Sequence, residues 1–234
     1  MYIYWLEQRA RDVPCDDRWL SRKERVRLDE LQIHKRRADW RLGRWTAKRA
    51  LSRYFSLAGD ADSLAAVEVL AGTSGAPRAF LCGEAAHVEI SLSHSFGTGL
   101  CAIAPPGAGL GCDLERVEPR TPAFLADYFT ADEQQLVEQT PAARRDELLT
   151  LLWSAKESVL KALGCGLRAD TRSAKAIVGG LLQPDAAPWR PLAASHECGR
   201  IFNGWWRESR SFVYTVLVDP APASLIALQL NPFS

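Results

Sequence analysis

Residues 105–109 read PPGAG, a run that denies the backbone regular structure, and the chain follows the same order of elements on both sides of it. Ahead of this joint, Tyr2 to Leu6 alternates as a first strand. Residues 20–57 read as helix, with few β-branched residues and no proline from Cys15 to Gly75. "AHVEISLSHS" then sets Val88, Ile90 and Leu92 at period two, and "GLCAIAP" follows a turn at Phe96–Gly99, which makes a hairpin. Behind the joint, Leu110, Cys112 and Leu114 alternate with Gly111, Asp113 and Glu115, so a strand presents both carboxylates on one face. Residues 121–163 read as helix, with Thr130 as an N-cap and Glu133 as its capping-box partner. The clearest helix is Leu148–Leu163, closed by Gly164. "KAIVGG", "GRIFNGWWRE", "SFVYTVLVD" and "SLIALQL" are short strands. The expected fold class is α+β, in one large domain or in two small lobes, 1–106 and 107–234, with no repeat visible at the level of letters.

A chain of 234 residues that is 47% hydrophobic and 24% charged can build a stable core of its own. Its net charge is +1, which gives no global field for nucleic acid or an anionic membrane. The basic charge is local: Ser21 to Phe55 holds twelve Lys/Arg against four Asp/Glu. "MYIYWLEQRARD" has neither the basic start nor the apolar core of a signal peptide, and no stretch approaches the roughly 18 apolar residues a bilayer span needs. The expectation is a cytoplasmic protein. Six cysteines without CxxC spacing read as reduced structural thiols, and the histidines lack zinc-ligand spacing.

Four constellations can carry chemistry. Asp113 and Glu115, two residues apart on a strand, repel unless a cation lies between them. Mg²⁺ suits such a pair, since it takes one or two protein carboxylates and completes its shell with phosphates and water. A solvated strand end neutralised by Arg116 or Arg120 is the alternative. In "LLTLLWSAKESVLKALGCG", Leu148, Leu152, Ala155, Val159 and Leu163 form a core-facing stripe, while Trp153, Glu157 and Lys161 run along its edge with Lys156 beside them. That places a carboxylate one turn from an ammonium, either as a helix-stabilising pair or as a metal ligand or base with phosphate clamps. Arg37, Arg41, Arg44 and Lys48 are spaced 4, 3 and 4, a cationic stripe that is solvated or faces an anion. Ser93 and His94 leave the end of a strand, where they are structural or bind a phosphate.

Taken in order, "KRRADWRLGR", "SLSHS", "GCDLE", "YFTADE" and "WSAKESVLKALGCGL" resemble the 4′-phosphopantetheinyl transferases of the large, Sfp-like type. The hallmarks of that family are a G-[VI]-D-[IVL]-E strand and a W-x-x-K-E-[AS]-x-x-K helix. The motifs span roughly residues 35 to 168. The resemblance implies two lobes, each a small, mainly antiparallel sheet with packed helices, related by a pseudo-two-fold. It implies transfer of 4′-phosphopantetheine from coenzyme A to a serine of an apo acyl or peptidyl carrier protein, with Mg²⁺ or Mn²⁺, by a monomer. On that basis Asp113, Glu115 and Glu157 are the metal ligands, and Glu157, Asp113 and Lys161 the catalytic set. Arg37, Arg41, Arg44, Ser93, His94, Lys156 and Lys161 bind coenzyme A, and Glu133 lies beside the centre. A catalytically idle coenzyme A- or carrier-binding module is the alternative. Two departures stand out: Ala76 precedes Pro77 where the family often has Lys or Arg, which leaves Arg78 as the candidate substitute, and Cys112 replaces a β-branched residue.

Overall fold

A computed structural model describes residues 1–177 and 188–229. It is α+β, and its contacts divide it into two units: Met1–Ala108 with the described residues from Ala223 on, and Gly109–Pro222. Among the described residues, no helix is long and apolar enough to cross a membrane.

The first unit runs β1 (Tyr2–Arg9), α1 (Arg22–Asp29), α2 (His34–Tyr54), α3 (Ala61–Ala66), β2 (Val67–Ala71), β3 (Pro77–Leu81), β4 (Glu84–Ala85), β5 (Glu89–Ser95) and β6 (Thr98–Ala104). The second runs β7 (Gly109–Arg116), α4 (Pro122–Tyr128), α5 (Ala131–Gln139), α6 (Ala142–Ala162), β8 (Ala174–Ile177), β9 (Arg190–His196), β10 (Ile201–Ser209) and β11 (Phe212–Asp219). The chain then returns to the first unit as β12 (Ser224–Ala227), which pairs parallel to β1. Nothing in its letters announces that return. The sheets are β12-β1-β6-β5 and β2-β3-β4 in the first unit and β7-β11-β10-β9-β8 in the second, antiparallel except for β1 with β12.

The expected hairpin is β5–β6, tightened to a two-residue turn in which Phe96 (φ 45°) and Gly97 (φ 72°) both take the left-handed conformation that such turns require. Of "KAIVGG", the described part is β8, and the rest lies outside the described residues. The six cysteines are unbonded, but Cys15, Cys82 and Cys198 are exposed and Cys165 is half-buried, so only Cys101 and Cys112 are core groups.

Helix α6 starts six residues earlier than expected and ends as expected. Gly164 at φ 70° donates to the Lys161 carbonyl and Cys165 to that of Leu160, the paired bonds that close a helix on a left-handed residue. The single apolar stripe read from the letters is two faces. Leu148 and Leu152 pack with Phe129, Val137 and Trp153 under α4 and α5, whereas Ala155 and Val159 pack with Phe202, Trp206 and Leu217 of the sheet. A helix sandwiched this way is buried nearly all round, and only Glu157 breaks the buried run from Glu147 to Leu160.

Both long helices have 21 residues, and in each the fifteenth is a buried lysine inside a matching sequence, "WTAK" at 45–48 and "WSAK" at 153–156. Lys48 pairs with Glu24 at 2.5 Å and Lys156 with Glu133 at 2.8 Å. Glu24 and Glu133 each close a capping box, on Ser21 and on Thr130. Each lysine also donates to two backbone carbonyls: Lys48 to those of Trp19 and Leu64, Lys156 to those of Thr171 and Ala174. The repeat that a reading of letters missed is therefore present as a shared interior device.

Removing one partner of such a pair strands a buried charge. Lys48→Met should cost about 3 to 5 kcal/mol in urea unfolding, and adding Glu24→Leu should recover much of that loss, because an apolar pair carries no desolvation penalty.

Candidate active site

Strand β7 and helix α6 build the site because they lie in direct backbone contact. A Cβ on Gly111 would sit 1.8 Å from the Ser158 carbonyl oxygen, so no other residue admits α6 at this depth. Below that contact, the Thr215 hydroxyl lies 2.9 Å from Ser154 Oγ and 2.7 Å from Ser158 Oγ and donates to the Ser154 carbonyl at 3.1 Å. All three residues are fully buried, and Thr215 is the cross-strand neighbour of Asp113. This hydroxyl cluster fixes the axial position of α6 on β7 and β11. It was invisible in sequence, where Thr215 is a single threonine in a valine-rich strand.

At this depth Lys161 reaches across to β7. Its Nζ lies 2.6 Å from Asp113 Oδ1, 3.5 Å from Glu157 Oε2 and 3.2 Å from the Cys112 carbonyl. Asp113 is 1% exposed, so its carboxylate needs that ammonium. Burial works against the Lys161 charge, but Asp113 and Glu157 outweigh it and hold the ammonium above its ordinary range. Glu115, on the same face of β7, is 3.4 Å from Arg120 and takes a hydrogen bond from the Trp153 side chain. Burial raises Glu115 to about 7, with repulsion from Asp113 adding to it, while Arg120 and Lys161 pull the other way. Glu157 is likewise raised to about 7, by burial first and Asp113 next.

The structure thus brings Asp113, Glu115, Glu157 and Lys161 into one electrostatic group, adding Arg120 and Trp153. The neutralising partner of Glu115 is Arg120, one of the two arginines considered from the letters. Among the described residues no three His, Cys, Asp or Glu converge closely enough to hold a metal ion by themselves. The donor set still fits Mg²⁺. Its groups are carboxylates, the Lys161 ammonium already stands between two of them as a cation would, and Mg²⁺ usually needs only one or two from the protein.

Lys156 is outside this group although it is adjacent in sequence to Glu157. It is buried, with Nζ held by Glu133 and two carbonyls, and burial lowers its pKa despite that partner. Glu133 is committed to the same pair and to its capping box.

Arg37, Arg41, Arg44, Ser93 and His94 belong to the other unit, and their stripe is largely engaged there. Arg37 donates to the carbonyls of Leu28 and Leu31, and Arg41 pairs with Asp17 at 2.9 Å and reaches the carbonyls of Pro14 and Asp16. Lys48 is interior. Arg44 differs: its guanidinium lies 4.7 Å from the Trp40 ring centre and its Nε is buried without a hydrogen-bond partner among the described residues. Burial depresses its pKa, with Glu24 opposing. His94 sits against Gly43, the residue before Arg44, since a Cβ there would be 3.8 Å from its ring. Arg78 is exposed in a polar cavity of about 400 Å³ beside Glu84, His87 and Glu89, whose mixed charge does not single out an anion.

Residues 109–204 match the model of the 4′-phosphopantetheinyl transferase superfamily. Over 81 residues the chain is 33% identical to 4′-phosphopantetheinyl transferase psf-1 of Bacillus pumilus, covering 35% of this chain and 33% of that protein. Over 80 residues it is 34% identical to slr0495 of Synechocystis sp., provisionally named for the same activity, covering 33% of this chain and 32% of that protein. The chain thus spans about a third of the length of these relatives.

Two outcomes test the geometry. Gly111→Ala forces the α6 backbone off β7, and a destabilisation of about 3 kcal/mol or more in urea unfolding is expected, as for severe overpacking; a near-neutral result would remove the claim of contact. Glu115 and Glu157 have folded pKa values near 7 against an ordinary 4.5, so they bind more protons folded than unfolded. Their stabilising effect is full below about 4.5 and is lost as the pH rises through about 7. In chelator, thermal melts of the wild type minus those of Glu115→Gln/Glu157→Gln should fall across that window; a flat difference counts against the assignment.

Proposed function

We propose, from the match of residues 109–204 to the 4′-phosphopantetheinyl transferase superfamily, that the chain is a member of it and transfers 4′-phosphopantetheine from coenzyme A to the serine hydroxyl of an apo acyl or peptidyl carrier protein. The observation that carries this reading is the Asp113–Lys161–Glu157 arrangement, set within the matched segment by the Gly111 contact. In the proposed reaction the serine oxygen bonds to the phosphorus that bears the pantetheine, the pyrophosphate P–O bond breaks, and adenosine 3′,5′-bisphosphate leaves. The same reading takes the protein to be a cytoplasmic monomer.

One or two of Asp113, Glu115 and Glu157 would hold Mg²⁺ together with phosphate oxygens and water, and the ion would supply charge neutralisation at the pyrophosphate. Glu157, with a pKa near 7, is suited to accept the serine proton at neutral pH. Lys161 holds Asp113 in place and brings a positive charge to the site, where it can face developing negative charge on the phosphoryl oxygens. Arg120 and Trp153 restrain Glu115. In the first unit, the uncommitted Nε of Arg44, whose guanidinium is backed by Trp40, supports giving Arg44 a phosphate-binding role.

Purified protein with coenzyme A, Mg²⁺ and a panel of apo carriers should add the mass of one phosphopantetheine to at least one carrier, and chelation should stop the gain. Asp113→Ala should lower kcat by about 10²-fold or more, the scale for losing a group that stabilises transition-state charge. Coenzyme A binding without transfer to any carrier would favour the idle-module reading instead.

A further inference from the structure

Lys156 stands next to Glu157, and the family pattern assigns it to a coenzyme A phosphate. Its geometry commits it elsewhere. An ammonium has three N–H donors. Those of Lys156 face the Ala174 carbonyl at 2.6 Å, the Thr171 carbonyl at 3.1 Å and Glu133 Oε2 at 2.8 Å, and its charge lies 5.3 Å from the Phe129 ring centre. The side chain has no exposed surface. Its partners come from the capping box of α5, the turn before β8, and β8 itself. One residue on α6 is therefore tied to two separate segments that pack around that helix, the start of α5 and the run from Thr171 into β8.

The first unit supplies an independent second case. Lys48 holds the same place in α2, with the Trp19 and Leu64 carbonyls at 3.0 and 2.9 Å and the capping-box Glu24 at 2.5 Å. There the next residue is Arg49 where α6 has Glu157, so the device recurs without the carboxylate beside it. A phosphate clamp does not account for two lysines buried among carbonyls. A latch that sets the rotation and depth of a long helix does.

We propose that Lys156 is a positioning residue: with Glu133 it fixes α6 so that Glu157 and Lys161 meet Asp113, and it does not contact coenzyme A. This inference rests on the transfer reading above, but one arm of its test does not. The comparison uses the full chain as wild type, Lys156→Met/Glu133→Leu, and Glu133→Gln, the last keeping the ammonium and its carbonyl partners should the double variant fail to fold. Circular dichroism checks the fold. Calorimetry gives the coenzyme A Kd, titration on an apo carrier gives KM and kcat, and electron paramagnetic resonance gives the Mn²⁺ Kd.

For groups that act by orienting others, losses of about 10- to 100-fold in metal affinity or activity are usual. In the folded variant kcat and Mn²⁺ affinity should fall by about tenfold or more, while the Kd and KM for coenzyme A change by less than about threefold. Weakened coenzyme A binding with kcat intact at saturation would make Lys156 a phosphate clamp and overturn the proposal. Unchanged values throughout would overturn it equally. A wild type that binds no coenzyme A removes the transfer reading, and the Mn²⁺ comparison then decides alone: equal affinity in wild type and variant overturns the latch.

Discussion

The backbone contact between α6 and β7 at Gly111 is what the rest of the second unit depends on. It lets α6 bring Lys161 to a strand residue that is otherwise sealed from water, so that the buried Asp113 carboxylate has an ammonium 2.6 Å away. With a methyl group at that position the lysine would lose its reach and Asp113 would be a buried charge without its close cation, an arrangement that costs several kcal/mol. The glycine, the hydroxyl cluster around Thr215 and the Asp113–Lys161 pair are therefore one device. The glycine sets the depth, the hydroxyls set the axial register, and the ion pair is the result.

The lysine latches work on a different coordinate. A buried Lys–Glu pair contributes little net stability, since desolvating both groups offsets most of their attraction. Its value lies in direction: an ammonium with three committed partners tolerates little rotation of the helix that carries it. Both units use this arrangement at the same helical position, and in both the glutamate already closes a capping box. One carboxylate thus ends the orphaned amides of a short helix and anchors a long one. The first unit puts Arg49 and Arg53 after its latch where the second puts Glu157 and Lys161. Similar scaffolds therefore carry different charges, and only the second builds the acidic group.

Much of this was legible in the letters. Alternation in 110–115 placed Asp113 and Glu115 on one face, and i,i+4 spacing placed Glu157 against Lys161, because both readings use local periodicity alone. The C-terminus of α6 was legible because glycine is the usual left-handed residue there. The interior fate of Lys156 was not, since a lysine beside a glutamate looks like surface chemistry until Glu133 and two carbonyls are brought to it by the chain's return. Contacts of the cationic stripe were hidden for the same reason. Arg37 and Arg41 are spaced as an open face, yet segments 14–17 and 28–31 lie close enough to accept their hydrogen bonds. The pairing of β12 with β1 joins residues more than two hundred positions apart, and no local pattern encodes such a contact.

The pKa values of the acidic group bear on the order of events at the proposed site. With Asp113 paired to Lys161, the remaining repulsion falls on Glu115 and Glu157, and both hold protons into the neutral range. Glu115 and Glu157 would hold a cation only on losing those protons, and Asp113 only in competition with the Lys161 ammonium. Lys161, whose ammonium would also suit phosphate oxygens, would release the Asp113 carboxylate most readily where a pyrophosphate was bound beside it. On the proposed reading, then, the site favours metal and donor entering together, because the same ammonium that makes the buried aspartate tolerable in their absence is the charge that the phosphates require.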